Sequence, residues 1–203
     1  MNSILDLLAD SIGGDNMGQL AQAIGADRSQ TQSAVAAALP AILAALNQNT
    51  NTSSGASALA SALDRDHDGS LLDSLGGFLG GQVRGKQADG GGILGHVLGG
   101  RRQQVEQGVA QASGLNMGQV AKLLPILAPI VMAALGRRKR QRGLDEAGLS
   151  GVLAEDAVRA REAAPSGAMG ALSAILDRDR DGSIQDDLMQ HAGRAVLGKL
   201  FGR

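Results

Sequence analysis

Two acidic segments carry the residues whose types and spacing best suit a chemical role. The first reads ALDRDHDGSLLDSL from Ala62 to Leu75, and the second reads ILDRDRDGSIQDDL from Ile175 to Leu188. Each contains Asp-x-Asp-x-Asp-Gly-Ser, which matches the first half of an EF-hand calcium loop. In such a loop alternate carboxylates converge on one hard cation, and the glycine allows the sharp turn around it. Because oxygen ligands favour Ca²⁺ over soft metals, the pattern predicts Ca²⁺ as a cofactor.

The predicted ligands are the carboxylates of each loop and the serine carbonyl at the seventh position. They are Asp64, Asp66, Asp68, Ser70 and Asp73 in the loop 64–75, and Asp177, Asp179, Asp181, Ser183 and Asp186 in the loop 177–188. The twelfth position, a bidentate Glu in the regular loop, is Leu75 or Leu188 here. A later Asp, another segment or water must therefore complete the site, and the low ligand count predicts weak affinity. The alternative is an Asp-rich turn that caps the next helix.

The two acidic segments belong to a longer internal repeat. Ile93-Leu94 follows Ile4-Leu5 at an offset of 89 residues (from 4 to 93), and the same offset relates further matched positions. These are Gly25 with Gly114, Gln30 with Gln119, Pro40 with Pro129, and Ala44-Ala45-Leu46 with Ala133-Ala134-Leu135. The acidic loops are 113 residues apart (from 64 to 177), so the second copy should contain an insertion of 24 residues, the difference between the offsets. The repeat predicts a tandem duplication.

This repeat predicts the domain organisation. The first copy spans residues 1–81, a Gly-rich linker spans 82–92, and the second copy spans 93–203 with the charged insertion at about 136–165. Matched prolines predict the same kink in both copies, or two abutting helices at Pro40. We expect the insertion to lie outside the shared core.

Composition predicts an all-α fold. The chain has 203 residues, 30 Gly, no Cys, Trp or Tyr, and only Phe78 and Phe201 as aromatic residues. A core built from Leu, Ile, Val, Met and Ala suits short helices, because Ala and Leu are strong helix formers and β-branched runs are scarce. Absent cysteines exclude disulfide and thiol chemistry. Because the formal net charge is −1, the electrostatic field of the whole protein does not attract it to nucleic acid.

The spacing of apolar residues and the positions of helix-breaking residues predict where the helices lie. The predicted helices of the first copy are 3–12, 17–24, a third ending near 47, 57–63 and 71–79. Those of the second copy are 93–98, 101–113, 117–135, 144–162, 170–176 and 184–200. The longest apolar stretch, Leu123 to Leu135, has 13 residues and two prolines, which is too short to span a bilayer as a helix. Membrane binding is therefore not expected. No secretory signal is recognisable at Met1 to Leu8, and we expect a cytoplasmic location.

Three segments resemble a known family. They are GGILGHVLGG (Gly91 to Gly100), the stretch from Gln103 through Gly114, and QVAKLLPILAPIVMAALG (Gln119 to Gly136). The chain resembles the bacterial family called domain of unknown function 937, which has YidB-like relatives. The acidic segments fit this resemblance too. It implies a helical fold and transfers no reaction, cofactor or catalytic residue.

A basic cluster, RRKRQR, is the second candidate site. Its cations are Arg137, Arg138, Lys139, Arg140 and Arg142. They could bind nucleic acid or an anionic surface, although the cluster has no aromatic residue for stacking on bases. The simpler interpretation is a solvated helix end whose cations complement the helix dipole.

No pattern indicates an enzyme. The chain has neither a Gly-Lys-Ser/Thr phosphate loop nor a Gly-x-Ser-x-Gly elbow, and its isolated histidines do not form a zinc motif. His67 falls at an even loop position and matches Arg180 in the second copy, which argues against a ligand role. The sequence therefore predicts a calcium-binding helical module with a structural or protein-interaction role. Because its apolar residues occupy more than one helix face, we expect self-association or a protein partner.

Overall fold

The computed structural model describes residues 3–83 and 85–176, and every regular element within those ranges is helical. The α-helices are α1 (Ile4–Ile12), α2 (Gly14–Ile24), α3 (Arg28–Asn49), α4 (Ser53–Arg65), α5 (Ser70–Asp73), α6 (Leu75–Leu79), α7 (Gly90–Leu98), α8 (Arg102–Ser113), α9 (Met117–Arg142), α10 (Glu146–Glu162) and α11 (Met169–Leu176). Single 3₁₀ turns span 86–88, 99–101 and 166–168. The predicted all-α fold is confirmed.

Local capping residues explain where several helices begin. The Ser3 hydroxyl accepts the Asp6 amide at 3.0 Å, and the Ser3 amide donates to the Asp6 carboxylate, forming a capping box on α1. Asn116 and Gln119 form the same arrangement on α9. Asp145 accepts the amide of Gly148 at 2.8 Å and begins α10. Each cap satisfies a backbone donor that has no partner within its own helix.

Helices α3 and α9 form the centre of the molecule. Both have a buried middle section, and Pro40 and Pro129 lie inside single uninterrupted helices. Two abutting helices at Pro40 are therefore a wrong expectation. The predicted end of α9 at Leu135 is also wrong, because the helix continues through the basic cluster to Arg142.

The same two helices are long and apolar enough to cross a membrane, counting length and composition only. The 13-residue apolar stretch thus belongs to a helix of 26 residues. In α3 and α9, however, 72% and 67% of the most apolar window is buried against other helices. Buried core helices show this same pattern, so the finding carries little weight for a membrane location.

Both halves of the chain contribute to one hydrophobic core. Helix α9 packs against α1, α2, α3, α4 and α5 from the first half and against α7 and α8 from the second. Helix α11 packs on α8 and α3, while α10 packs on α3 and α4. Close backbone approach is essential at Gly108, where a Cβ would lie 2.2 Å from the Ala171 amide nitrogen. The core extends from Ile4 to Ile175.

Several predicted boundaries differ from the structure. Helix α4 begins at Ser53, so the polar linker after α3 is short, and the predicted helix 71–79 is two short helices separated at Ser74. Helix α7 begins at Gly90, inside the predicted Gly-rich linker, because its first turn packs on α9. A Cβ at Gly90 would lie 1.6 Å from the Pro125 carbonyl oxygen. Helix α10 occupies most of the predicted insertion, whose first seven residues belong to α9.

Matched positions of the two halves make reciprocal contacts. Gly25 is the C-cap residue of α2 and Gly114 that of α8, both in the left-handed conformation with φ of 71° and 73°. The Gln30 side-chain amide donates to the Gly114 carbonyl at 3.5 Å. The Gln119 side-chain amide donates to the Gly25 carbonyl at 2.5 Å. Each glutamine thus closes the helix end of the opposite half.

Candidate functional site

The first acidic loop joins two helices. Helix α4 ends at Arg65, Gly69 has a left-handed backbone with φ of 91°, and α5 begins at Ser70. Glycine suits this position because a residue with a Cβ rarely adopts that φ. A Cβ there would also lie 2.7 Å from the Arg137 Cβ. The local geometry is therefore helix, glycine turn, helix.

Asp68 organises the end of this loop. Its carboxylate accepts the Ser70 amide at 3.0 Å and the Ser70 hydroxyl at 2.6 Å. These hydrogen bonds from Ser70, with a smaller contribution from Arg140, lower the pKa of Asp68 below its usual value. The carboxylate is therefore charged at neutral pH. The Asp68 side chain thus closes a turn just before α5, whose N-cap residue is Gly69 and has no side-chain capping bond.

The acidic loop lies against the cationic end of α9. The Lys139 ammonium is 2.5 Å from Asp64 Oδ1, and Arg140 Nη1 is 3.5 Å from Asp68 Oδ2. Arg137 pairs with Asp73. Because α4 and α5 both pack on α9, the two oppositely charged candidate sites meet. We call this set of three ion pairs the loop clasp.

Backbone contacts hold the same surfaces together. The Arg137 guanidinium donates to the Gly69 carbonyl at 3.0 Å. A Cβ at Gly136 would lie only 1.7 Å from the His67 carbonyl oxygen. Gly136 therefore lets the loop backbone approach α9 more closely than any other residue type would.

His67 lies at this contact and is 6% exposed. Its Nδ1 is buried and has no hydrogen-bond partner among the described residues. Burial lowers the pKa of His67, while the neighbouring Asp66 opposes that shift. The side chain is thus neutral at pH 7 and packs as part of the core.

The structure does not gather the predicted ligands of the first loop around one point. Within residues 3–83 and 85–176, no group of three or more His, Cys, Asp or Glu side chains is arranged to hold a metal ion. Asp66 pairs with Arg65 at 2.9 Å, and the other three carboxylates face α9. The predicted ligands of the second loop lie outside the described residues. They are Asp177, Asp179, Asp181, Ser183 and Asp186.

Within the basic cluster, the structure separates Arg138 from its neighbours. Arg138 is only 4% exposed, and its Nη1 is 3.8 Å from Oδ2 of the fully buried Asp156 on α10. Burial lowers the pKa of Arg138, and Asp156 opposes the shift. Grouping Arg138 with surface anion-binding cations is therefore wrong. Arg142 is exposed, and Arg137, Lys139 and Arg140 belong to the loop clasp.

Sequence reasoning missed Asp156, which connects three elements. Besides Arg138 on α9, its Oδ2 accepts the Ile4 amide at the start of α1 at 3.3 Å. The spacing of α10 contains a usable signal, because Asp156 falls within the helix's apolar stripe. The buried residues of that stripe are Leu149, Leu153, Asp156 and Ala160. A carboxylate at such a position indicates a buried partner.

Comparison with known protein families assigns the chain to one of them. A model described as a bacterial protein of unknown function, DUF937, matches residues 6–138. The chain belongs to the DUF937 family. The match covers nearly all of the first half and the second half only through the start of the basic cluster, whereas α10 and the second loop lie outside it. No curated protein and no solved structure matches the chain.

Proposed function

We propose that this DUF937 protein is a non-enzymatic, calcium-binding helical module with a structural or protein-interaction role. The observation that carries the proposal is the acidic loop itself. It places four carboxylates from Asp64 to Asp73 on either side of a left-handed glycine, from the last turn of α4 through the connecting turn to the end of α5. The segment Asp177 to Asp186 repeats the same residue types at the same spacing.

The attraction of the loop carboxylates for cationic groups supports a cation site. Ser70 holds the Asp68 carboxylate in its charged form, and cationic side chains already neutralise the other acidic groups. Loop carboxylates that attract ammonium and guanidinium groups also attract a hard divalent ion, which takes oxygen ligands. Since Leu75 stands where a regular loop has its bidentate Glu, the proposed affinity is weak.

Calorimetric titration of the full chain, stripped with a chelator, tests this function. We expect two Ca²⁺ per chain and a melting temperature that rises with Ca²⁺, because a ligand of the native state stabilises it by mass action. Asp66→Asn with Asp68→Asn should remove the first site, and Asp177→Asn with Asp179→Asn the second. Absence of both binding heat and a melting shift through millimolar Ca²⁺ would refute the proposal.

A matched control separates loss of ligands from loss of charge. Asp10→Asn with Asp15→Asn removes two exposed carboxylates from α1 and α2. This variant should bind two Ca²⁺ like the wild type. If it loses a site as well, the titration reports general electrostatics and not coordination by the loop.

The same proposal includes a tandem duplication with an acidic loop in each copy. Supporting it are the equal offsets, the matched helix ends at Gly25 and Gly114, and the reciprocal bonds of Gln30 and Gln119. Related positions exchanging equivalent contacts are what a pseudo-two-fold pair of copies would produce. A crystal structure that includes both loops would test it. Unrelated positions of Pro40 and Pro129 after superposing the copies would contradict it.

A further inference from the structure

We propose that an apolar cavity between α1, α2, α3 and α10 binds an uncharged aliphatic chain that carries a hydrogen-bond donor, as a medium-chain alcohol does. The cavity has a volume of about 350 Å³. Sites for small molecules typically have volumes of about 300–1,000 Å³. Because an apolar cavity of about 150 Å³ already holds benzene, the volume suits a chain of about ten heavy atoms. This binding site is independent of the proposed calcium function.

The cavity has an apolar floor and an open rim. Its floor is formed by buried side chains from all four helices, namely Leu8, Ile12, Met17, Val35, Leu39 and Ala160. Ala9, Gln32 and Ala163 line the rim and are exposed. The two alanine side chains are too small to close the rim, so water reaches an apolar floor. A bound aliphatic chain would remove that surface from water, which is favourable.

Pro40 gives the cavity wall a hydrogen-bond acceptor. Since proline has no backbone N–H, Pro40 cannot donate to the Ala36 carbonyl one turn earlier in α3. Ala36 and Pro40 both line the cavity, so the carbonyl that has lost its helical donor belongs to the cavity wall. Backbone acceptors in apolar surroundings require a donor. A hydroxyl group on the ligand would supply it.

The lining also determines the charge of the ligand. No described residue that lines the cavity has a charged side chain. The nearby cation Arg28, one turn before Gln32, donates to the Gly14 carbonyl at 2.8 Å and so holds the start of α2. A carboxylate or ammonium group entering the cavity would lose its hydration without gaining an ionic partner, which is costly. We therefore expect a neutral polar group at the end of the aliphatic chain.

NMR of methionine methyl groups tests the location in the full-length protein. Addition of n-octanol, with chelator present, should shift the Met17 methyl signal saturably, and calorimetry should give one octanol per chain. Met117 and Met169 lie outside the cavity and are 41% and 43% exposed. Their signals therefore report nonspecific contact of octanol with apolar surface and should not shift saturably. Met17→Leu identifies the Met17 signal.

Two isomeric ligands test the hydrogen bond. Heptyl methyl ether has the same heavy atoms as n-octanol but no donor, so octanol should bind about two- to tenfold more tightly, the factor that one hydrogen bond supplies. Pro40→Ala returns an N–H to the Ala36 carbonyl and should make the two affinities equal. Pro129→Ala is the matched control in α9, away from the cavity, and should keep the preference for octanol.

A filling variant tests the cavity itself. Ala36→Leu places a larger side chain at the cavity wall and should abolish the shift of the Met17 signal by octanol. Ala154→Leu adds the same side chain at an exposed position of α10 outside the cavity and should bind octanol like wild type. Urea unfolding checks that both variants fold. If Ala36→Leu does not fold, the methionine signals and the two isomers decide the question in the wild-type protein.

Several outcomes would overturn the proposal. An unchanged Met17 signal up to the solubility limit of octanol would exclude the site. Equal, non-saturating shifts at Met17, Met117 and Met169 would also exclude it, because octanol would then coat apolar surface generally. Equal affinities for octanol and the ether in the wild type, or tighter binding of octanoate than of octanol, would overturn the chemical class. Full binding by a folded Ala36→Leu variant would place the ligand elsewhere.

Discussion

At the residue scale, two glycines determine how closely the acidic loop approaches α9. Gly69 belongs to the loop and Gly136 to the helix, and each faces atoms of the other segment at a distance that excludes a Cβ. Overpacking by one methyl group against backbone atoms forces a shift, because main-chain atoms cannot rotate away. These positions should therefore be the least tolerant of substitution in the site.

Gly136→Ala should destabilise the protein by about 1–3 kcal/mol, because the new methyl would meet the His67 carbonyl. The matched control is Gly151→Ala in α10, an exposed helical glycine with no atom within 4 Å of its built Cβ. That change should stabilise by about 0.4–1 kcal/mol through loss of backbone entropy in the unfolded chain. Urea unfolding measures both free energies. Equal effects would contradict the close contact.

His67 should make the free energy of unfolding depend on pH. Its folded-state pKa is lowered by burial, so below the unfolded value of about 6.5 the unfolded chain binds more protons than the folded chain. Stability should therefore be complete at pH 7.5, fall as the pH drops through about 6.5, and level off below the folded pKa.

Urea titrations between pH 7.5 and 5 in the presence of chelator would measure this fall. His67→Gln should flatten it, whereas His96→Gln, at an exposed position on α7, should keep the wild-type slope. A wild-type curve that is flat over this range would contradict a buried neutral His67.

At the element scale, the last turns of α9 combine core packing with charge. Successive residues of this helix point in different directions, so neighbours in the basic cluster have different surroundings. Arg138 points into the interface with α10 and is buried with Asp156, whereas Arg140 is half exposed beside the loop. The basic cluster therefore contacts two different surfaces, α10 through Arg138 and the acidic loop through Arg140.

This division predicts unequal costs for one substitution type on the same helix. Arg138→Gln should lose about 3–5 kcal/mol of unfolding free energy, because it leaves the buried Asp156 carboxylate without its partner on α9. Arg140→Gln removes a half-exposed pair and should cost less than about 1 kcal/mol. Urea unfolding of both variants measures the two losses of unfolding free energy. Similar losses would argue against a buried pair between Arg138 and Asp156.

At the scale of the whole molecule, the single hydrophobic core shows what covers the apolar faces of α9. Apolar residues occupy several faces of α9, and Leu123, Leu127, Ile130 and Leu135 are fully buried within the chain itself. Helices α1 to α5 of the first half thus cover the face of α9 that would otherwise need another protein. A cavity of about 350 Å³ between α1, α2, α3 and α10 forms an apolar depression, with Leu5, Met17 and Leu39 in its lining.

Self-association stays a prediction of the sequence. Light scattering at micromolar concentration, with and without Ca²⁺, measures it directly. A mass near twice 20.6 kDa would support a two-fold dimer, the simplest closed assembly. A mass of 20.6 kDa under both conditions would rule out a stable dimer and leave the rest of the same chain as the surface that covers α9.

Much of the fold could be read from the chain because its signals are local. Ala- and Leu-rich stripes, capping residues such as Ser3 and Asp145, and the glycines after α2 and α8 each act over a few residues. The predicted helix boundaries were wrong where tertiary packing overrides local sequence preference. Helix α7 begins early because Gly90 fits against α9, and α9 continues past Leu135 because its last turns pack against the loop and pair with Asp156 of α10.

For the site, the sequence by itself determined the ingredients: an acidic loop with a glycine turn, a basic cluster, and helices to carry them. Only the tertiary structure decided that these two charged segments face each other and that Arg138 is buried. The physical reason is distance along the chain. Asp64 and Lys139 are 75 residues apart, and their contact depends on how α4 and α5 pack on α9. No local preference encodes that arrangement.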